Sequence, residues 1–219
     1  MKTDMAVLES FDETIVDSDL SGIPADLLEQ SIDAIMEEGL LQSIPVVRTI
    51  VGAIKTAGNI QDRLFLNKIL TFLFHLKDVD AYQRQEMINN IDRSERYQVR
   101  VGQKLLYIID KCDDHTKSAY VALIFKAFIQ ERITYPDFLR TVYTINNISS
   151  EDLINFIRMP DGQDLDSIDC FYYIQAGLVK RLSGEEMFAI EGGRTGGYNA
   201  GAMFQIFSRE GEIIRQELR

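Results

Sequence analysis

Apolar residues recur every three to four positions along most of this 219-residue chain, the spacing of helices with one buried face. Residues 23–40 show it clearly, with Pro24 in an acid-rich first turn, and are predicted to form one helix. Residues 5–15 carry a weaker stripe, which predicts a frayed helix. Residues 44–57 predict a core helix beginning at Pro45, in which Gly52 is expected to allow close approach of another element.

Five further helices are predicted between Asn59 and Asn146, joined by links of two to four residues that favour antiparallel neighbours. In the first of them, Leu64 and Phe65 are assigned to the buried stripe. The residues expected to cap these helices are Asn59, Asp80, Ser94, Asp114 and Thr134.

The last 70 residues have a different pattern. Helices are predicted from Ser150, over residues 166–176 with a left-handed cap at Gly177, and from Ser208 to the C-terminus. Apolar segments at 187–190 and 203–207 flank the glycine-rich loop 192–201 and predict a β-hairpin.

Two segments of this region resemble winged-helix proteins: Gly-Leu-Val-Lys-Arg at 177–181, like the turn after a recognition helix, and residues 204–211, like the step after the wing. The resemblance implies a winged-helix fold for residues 150–219. The part that opens at residues 44–76 resembles uncharacterised small helical bacterial proteins, which implies no function.

We therefore expect a mainly α protein, an antiparallel helical bundle followed by a small winged-helix-like α+β module with a β-hairpin. The expected domains are an acidic, partly flexible arm at 1–22, the bundle at 23–149 and the module at 150–219.

Charge is distributed unevenly. Residues 1–43 hold eleven acidic residues and one basic residue, a net of −10, whereas the rest of the chain has a net of −1. The acidic segment is expected either to pack on the bundle with a solvated outer face or to dock on a basic partner. Residues 45–149 have a net of +4, with the most basic stretch at 84–104, for which a solvated helix face is favoured over a nucleic-acid platform.

Residues 150–219 hold seven basic and twelve acidic residues, so nucleic-acid contact there would depend on a small local patch. Lys180, Arg181 and Arg194 can form that patch. Arg194 and Tyr198, both in the glycine-rich loop, can reach an anion, a minor groove or a partner protein.

Groups suited to catalysis are sparse. The two histidines, His75 and His115, have no carboxylate or thiol at ligand spacing, and Cys112 and Cys170 are expected to be buried free thiols. The aspartates at 161–169 do not match a calcium loop. We expect no enzymatic activity, no metal and no cofactor.

The favoured function is a non-enzymatic protein-protein interaction or regulatory role in the cytoplasm, such as a bacterial or mobile-element defence component, with a protein partner or a second copy of the chain. A DNA-binding winged-helix regulator is one alternative. A membrane-acting effector using helix 44–57 is another, although charges interrupt the apolar stretches 40–60 and 69–76 and argue against a spanning protein.

Overall fold

The computed structural model describes residues 5–38, 41–94, 100–162, 164–165, 170–190 and 203–219. It is mainly helical, with a helical bundle followed by a small α+β module, which confirms the predicted fold class. The chain divides into two units, residues 1–133 and 134–219.

The first unit is the bundle. Its described helices are α1 (Met5–Asp17), α2 (Ile32–Glu38), α3 (Pro45–Ala57), α4 (Ile60–Leu76), α5 (Ala81–Asp92), α6 (Val101–Lys111) and α7 (His115–Ile129). The core is built around α4 and α7, and α1 packs against α3, α5 and α6. Buried rings of Phe11, Phe72 and Phe125 link α1, α4 and α7, with successive centroids 6.1 and 6.0 Å apart.

The acidic segment packs on the bundle, the first of the two arrangements expected for it. Phe11 and Ile15 of α1 are fully buried. The guanidinium of Arg84, only 1% exposed, donates to the carbonyls of Ile15 and Ser18 at 2.8 and 2.6 Å. The Thr14 hydroxyl accepts from the Val46 amide at 3.1 Å and thereby caps α3. Apolar burial and backbone capping together fix α1.

The single helix predicted over residues 23–40 is wrong. The structure has a short 3₁₀ helix, Leu27–Glu29, and then α2, with extended backbone at Gln30 between them. The Ser31 hydroxyl accepts from the Ala34 amide at 3.2 Å, so it caps a new helix start at a position where the apolar stripe suggested continuation.

Helix α3 begins at Pro45 and ends at Ala57, which confirms the predicted core helix. Its apolar face is buried, including Val46, Val47 and Ile50. Gly52, however, is exposed, and a Cβ built there would meet nothing within 4 Å. The expected close approach of another element at Gly52 is therefore wrong.

Most predicted helix caps are confirmed. The side chains of Asn59, Asp80, Asp114 and Thr134 each accept a backbone N–H in the first turn of the helix that follows. Ser94 precedes residues 95–99, which lie outside the described part of the chain, and the described α6 begins at Val101.

The second unit is the α+β module. Its described elements are α8 (Tyr135–Asn146), α9 (Ser150–Arg158), α10 (Phe171–Ala176), β1 (Val179–Ser183), α11 (Gly184–Ile190), β2 (Met203–Phe207) and α12 (Arg209–Glu217). Helix α8, which the sequence interpretation grouped with the bundle, packs against α12. Gly177 ends α10 with a φ of 85°, as predicted, and the Leu178 amide closes the cap on the Tyr173 carbonyl at 2.8 Å.

A two-stranded antiparallel sheet is present, but not between the predicted segments. Strand β1 pairs with β2, with Val179 opposite Phe207 and Ser183 opposite Met203. The predicted strand at 187–190 is wrong because these residues belong to helix α11. Ser183 and Glu186 form a capping box, in which each side chain accepts the other residue's amide, and this starts the helix.

Two arginines, Arg215 on α12 and Arg219 just after it, fix the end of α9. The Arg215 guanidinium donates to the carbonyls of Phe156 and Pro160 at 3.1 and 3.3 Å and to the Asp161 carboxylate at 2.9 Å. Arg219 pairs with the same carboxylate and donates to the Ile157 carbonyl at 2.9 Å. Two of the module's basic residues therefore stabilise its own fold.

Candidate functional site: a groove on the helical unit

A groove with a volume of about 280 Å³ lies on the first unit where α4 passes the junction of α6 and α7. Its apolar surface comes from Leu64 and Phe65 of α4. Leu64 is 57% exposed, and Ile60, one turn earlier on the same helix, is 75% exposed. The residues lining it are Gln61, Leu64, Phe65, Asn67, Lys68, Asp110, Asp113, Asp114 and His115.

Three aspartates form the acidic side of the groove. Asp113 pairs with the ammonium of Lys117, whose side chain is 1% exposed, and Asp114 caps α7 by accepting from the Lys117 amide at 2.9 Å. Asp110 is exposed, and its backbone carbonyl accepts from Lys68 Nζ at 3.1 Å. The groove thus joins an apolar strip to carboxylates, an arrangement suited to a ligand with apolar and cationic groups side by side.

Sequence reasoning placed Leu64 on the buried stripe of α4, which is wrong. At about 100° per residue, Leu64 lies about 140° around the helix from the fully buried Ile69. Ile60 falls on the same outer side as Leu64. The angular positions of Ile60 and Leu64 around the helix therefore indicate an exposed apolar strip. Counting apolar residues at helical spacing does not distinguish this strip from the buried face.

The predicted partner contacts lie in the second unit. Lys180 and Arg181 are both exposed on β1, opposite Ile206 and Gln205 of β2. The other two, Arg194 and Tyr198, lie outside the described residues. Both cations are therefore exposed, but consecutive residues of a strand point to opposite faces of a sheet, so the two side chains do not share one face.

Helix α10, which precedes that sheet, presents aromatic side chains to solvent. Phe171 and Tyr172 are 54% and 61% exposed, and their rings meet edge to face with centroids 5.5 Å apart. The helix Phe171–Ala176 contains no basic residue. Its outer surface is thus better suited to apolar contacts than to phosphate.

The two histidines lie far apart in the sequence and differ in their surroundings. Burial, with Lys126 and Lys77 nearby, lowers the pKa of His75, so its imidazole is neutral at pH 7. His115 is exposed at the start of α7 and lines the groove.

Both cysteines are free and buried, as the sequence predicts. Burial raises the pKa of the Cys112 thiol to about 12. Because the thiolate is the reactive form, this raised pKa disfavours reaction at Cys112 while the unit is folded.

Among the described residues, no group of three or more histidines, cysteines, aspartates and glutamates is placed to hold a metal ion. Each helix in the described parts of the chain is too short or too polar to cross a bilayer.

No protein-family model, curated protein or solved structure matches this chain.

Proposed function

We propose that this protein is a non-enzymatic interaction protein that binds a partner protein through the groove on α4. The observation that carries the proposal is the pair Ile60 and Leu64, two large apolar side chains exposed one turn apart beside a concavity. Fully burying one such side chain contributes about 1.5–3 kcal/mol. Exposed apolar side chains beside a groove are typical of interaction surfaces.

The charged residues around the groove indicate which kind of partner would bind there. Lys117 offsets the charge of Asp113, and Lys68, which lines the groove, offsets a second carboxylate. Three aspartates against two lysines leave the groove a net charge of −1. The partner is a protein segment that carries apolar side chains next to lysine or arginine. Its cationic groups would set orientation and association rate, and its apolar groups would supply most of the affinity.

The test uses two double variants. The groove variant combines Ile60→Ser and Leu64→Ser, and the control variant combines Tyr82→Ser and Tyr143→Ser. Both control tyrosines are exposed, 69% and 71%, and neither is among the residues that line the groove. Affinity purification from the source cells should recover a specific partner with the wild-type chain and the control but not with the groove variant. Equal recovery with all three chains would contradict the proposal.

A second copy of the chain is the other partner expected from the sequence. Sedimentation velocity of the purified chain distinguishes self-association from binding of a different protein. A dimer that the groove variant dissociates and the control preserves would identify the partner as another copy.

DNA binding by the second unit is a second candidate. It is supported by the exposure of Lys180 and Arg181, one on each face of β1, and by the resemblance of residues 177–181 and 204–211 to winged-helix proteins. Lys180→Ala with Arg181→Ala should abolish salt-dependent retention on duplex DNA. Retention that is absent in the wild-type chain, or unchanged in the variant, would reject this candidate.

The proposal places the protein in the cytoplasm, as a regulator or defence component of a bacterium or mobile element. The free, buried thiols of Cys112 and Cys170 support a reducing compartment. A membrane-acting role would require α3 to leave the core in which Val46 and Ile50 are fully buried.

A further inference from the structure

A second surface, next to the groove but made of other side chains, lies on the outer face of α6. Arg100, Lys104, Tyr107 and Lys111 follow one another at intervals of four, three and four residues, so they form a single stripe along the helix. Tyr107 is 58% exposed, a large fraction for an aromatic side chain. The stripe thus combines three basic residues with one accessible ring.

The ammonium groups of two lysines lie over the ring, so a base that stacks there displaces at least one of them onto a phosphate. Lys104 Nζ lies 5.8 Å and Lys111 Nζ 5.6 Å from the centroid of the Tyr107 ring, one lysine before and one after it along the helix. Their Cα atoms are about 10 Å apart along the axis, since seven residues each rise about 1.5 Å. That separation spans about three phosphates of a stacked strand, at about 3.4 Å each.

The surroundings keep this stripe locally basic in a chain with a net charge of −11. Asp12 of α1 offsets Arg100, with a 3.6 Å contact, and Asp110 is the acidic residue on α6 itself. Lys68 of α4 reaches the Asp110 carbonyl and adds a further positive charge at the same end of the helix. Asp113, which follows Lys111 by two residues, pairs with Lys117. Lys104 and Lys111 are therefore the cations next to Tyr107, and Asp110 is the acidic residue one turn from the ring.

We propose that this face of α6 binds single-stranded nucleic acid, with phosphates on Lys104 and Lys111 and a base stacked on Tyr107. Surfaces that hold single strands without sequence preference combine cations that follow the backbone with aromatic rings on which bases stack. An acidic peptide would satisfy the two ammonium groups, but it would leave the exposed ring without a planar partner. The combination of cations and ring favours the nucleic acid.

The test measures fluorescence anisotropy of a labelled oligothymidine of about 12 nucleotides with the full chain, from about 50 to about 200 mM salt. Tyr107→Ala should weaken binding roughly 5- to 150-fold, whereas Tyr107→Phe, which keeps the ring, should bind like wild type. Lys104→Ala with Lys111→Ala should make the slope of log affinity against log salt less negative by about 1.4.

The matched control is Arg48→Ala with Lys55→Ala on α3, two exposed cations with the same seven-residue spacing. This control should leave affinity and slope near their wild-type values. The proposal is overturned if the wild-type chain does not bind at low salt, if Tyr107→Ala binds as well as wild type, or if the α6 and α3 double variants change the slope equally. A Tyr107→Ala chain with full affinity would identify a general polyanion surface instead.

Discussion

Arg84→Met tests most sharply how the acidic N-terminal segment is held. In the wild-type chain the buried guanidinium donates to the carbonyls of Thr14, Ile15 and Ser18 at the end of α1, at 3.3, 2.8 and 2.6 Å. It also donates to the Val79 carbonyl at 3.3 Å. Methionine retains much of the aliphatic volume and removes every one of these donors.

The expected loss of stability at α1 is calculated from the two short hydrogen bonds, those to Ile15 and Ser18. A hydrogen bond to a charged group contributes about 1.5–3 kcal/mol, and the longer bonds contribute less. The substitution also removes the cost of burying the charge, which lowers the pKa of Arg84. Taking each short bond at the lower value gives a loss of about 3 kcal/mol, equivalent to a factor of roughly 150 in the opening equilibrium of α1.

Hydrogen exchange followed by mass spectrometry reads this equilibrium directly in peptides that cover α1. Arg84→Met should raise amide exchange in Met5–Asp17 about 100-fold, because the helix opens more often. Arg93→Met, which removes an exposed arginine just after α5, is the control and should change exchange little. If α1 exchanges equally in both variants and in wild type, Arg84 does not hold this helix.

Three further substitutions should change the free energy of unfolding: one should raise it, one should lower it, and the effect of the third should depend on pH. Gly52→Ala should raise the free energy of unfolding by about 0.5–1 kcal/mol in urea titrations, because the site is open and helical. Gly211→Ala should lower it by about 1–3 kcal/mol, because a Cβ there would lie 2.2 Å from the Leu178 carbonyl oxygen. Burial and the nearby Asp92 raise the pKa of Asp12, so its ionised form destabilises the fold at neutral pH. Asp12→Asn should therefore raise the free energy of unfolding at pH 7. This gain in stability should shrink as the pH falls through the raised pKa toward the unfolded value of 3.8. An equal gain in stability at pH 7 and at pH 3.8 would contradict the prediction.

Local signals predicted the regular parts of the bundle well. Pro45 and the apolar spacing after it located α3, and side-chain caps such as Asn59 and Thr134 located helix starts. These features depend on residues within one turn of each other, so the sequence displays them directly.

The wrong secondary-structure predictions fall where two local structures compete for the same residues. Residues 23–40 have helical spacing throughout, but Ser31 offers a cap that divides the segment. Residues 187–190 are apolar enough for a strand, yet the capping box of Ser183 and Glu186 commits them to a helix. The docking of α1 depended on Arg84, about 70 residues away, which no local pattern could indicate.

The candidate site was harder to predict than the fold. A groove forms where α4, α6 and α7 meet, so it requires the packing of segments distant in the chain. The two basic residues predicted on the module, Lys180 and Arg181, are exposed as a surface role requires, but the sequence alone did not connect Ile60 and Leu64 with a concavity.

Photo-crosslinking from the groove tests the proposed function most directly. A genetically encoded photoreactive amino acid replaces Leu64, which is 57% exposed, in one chain and Tyr82, which is 69% exposed and does not line the groove, in another. Irradiation of the source cells should yield a discrete crosslinked protein from position 64 and none from position 82. Identical patterns from the two positions, or no product from position 64, would contradict a docking role for this groove.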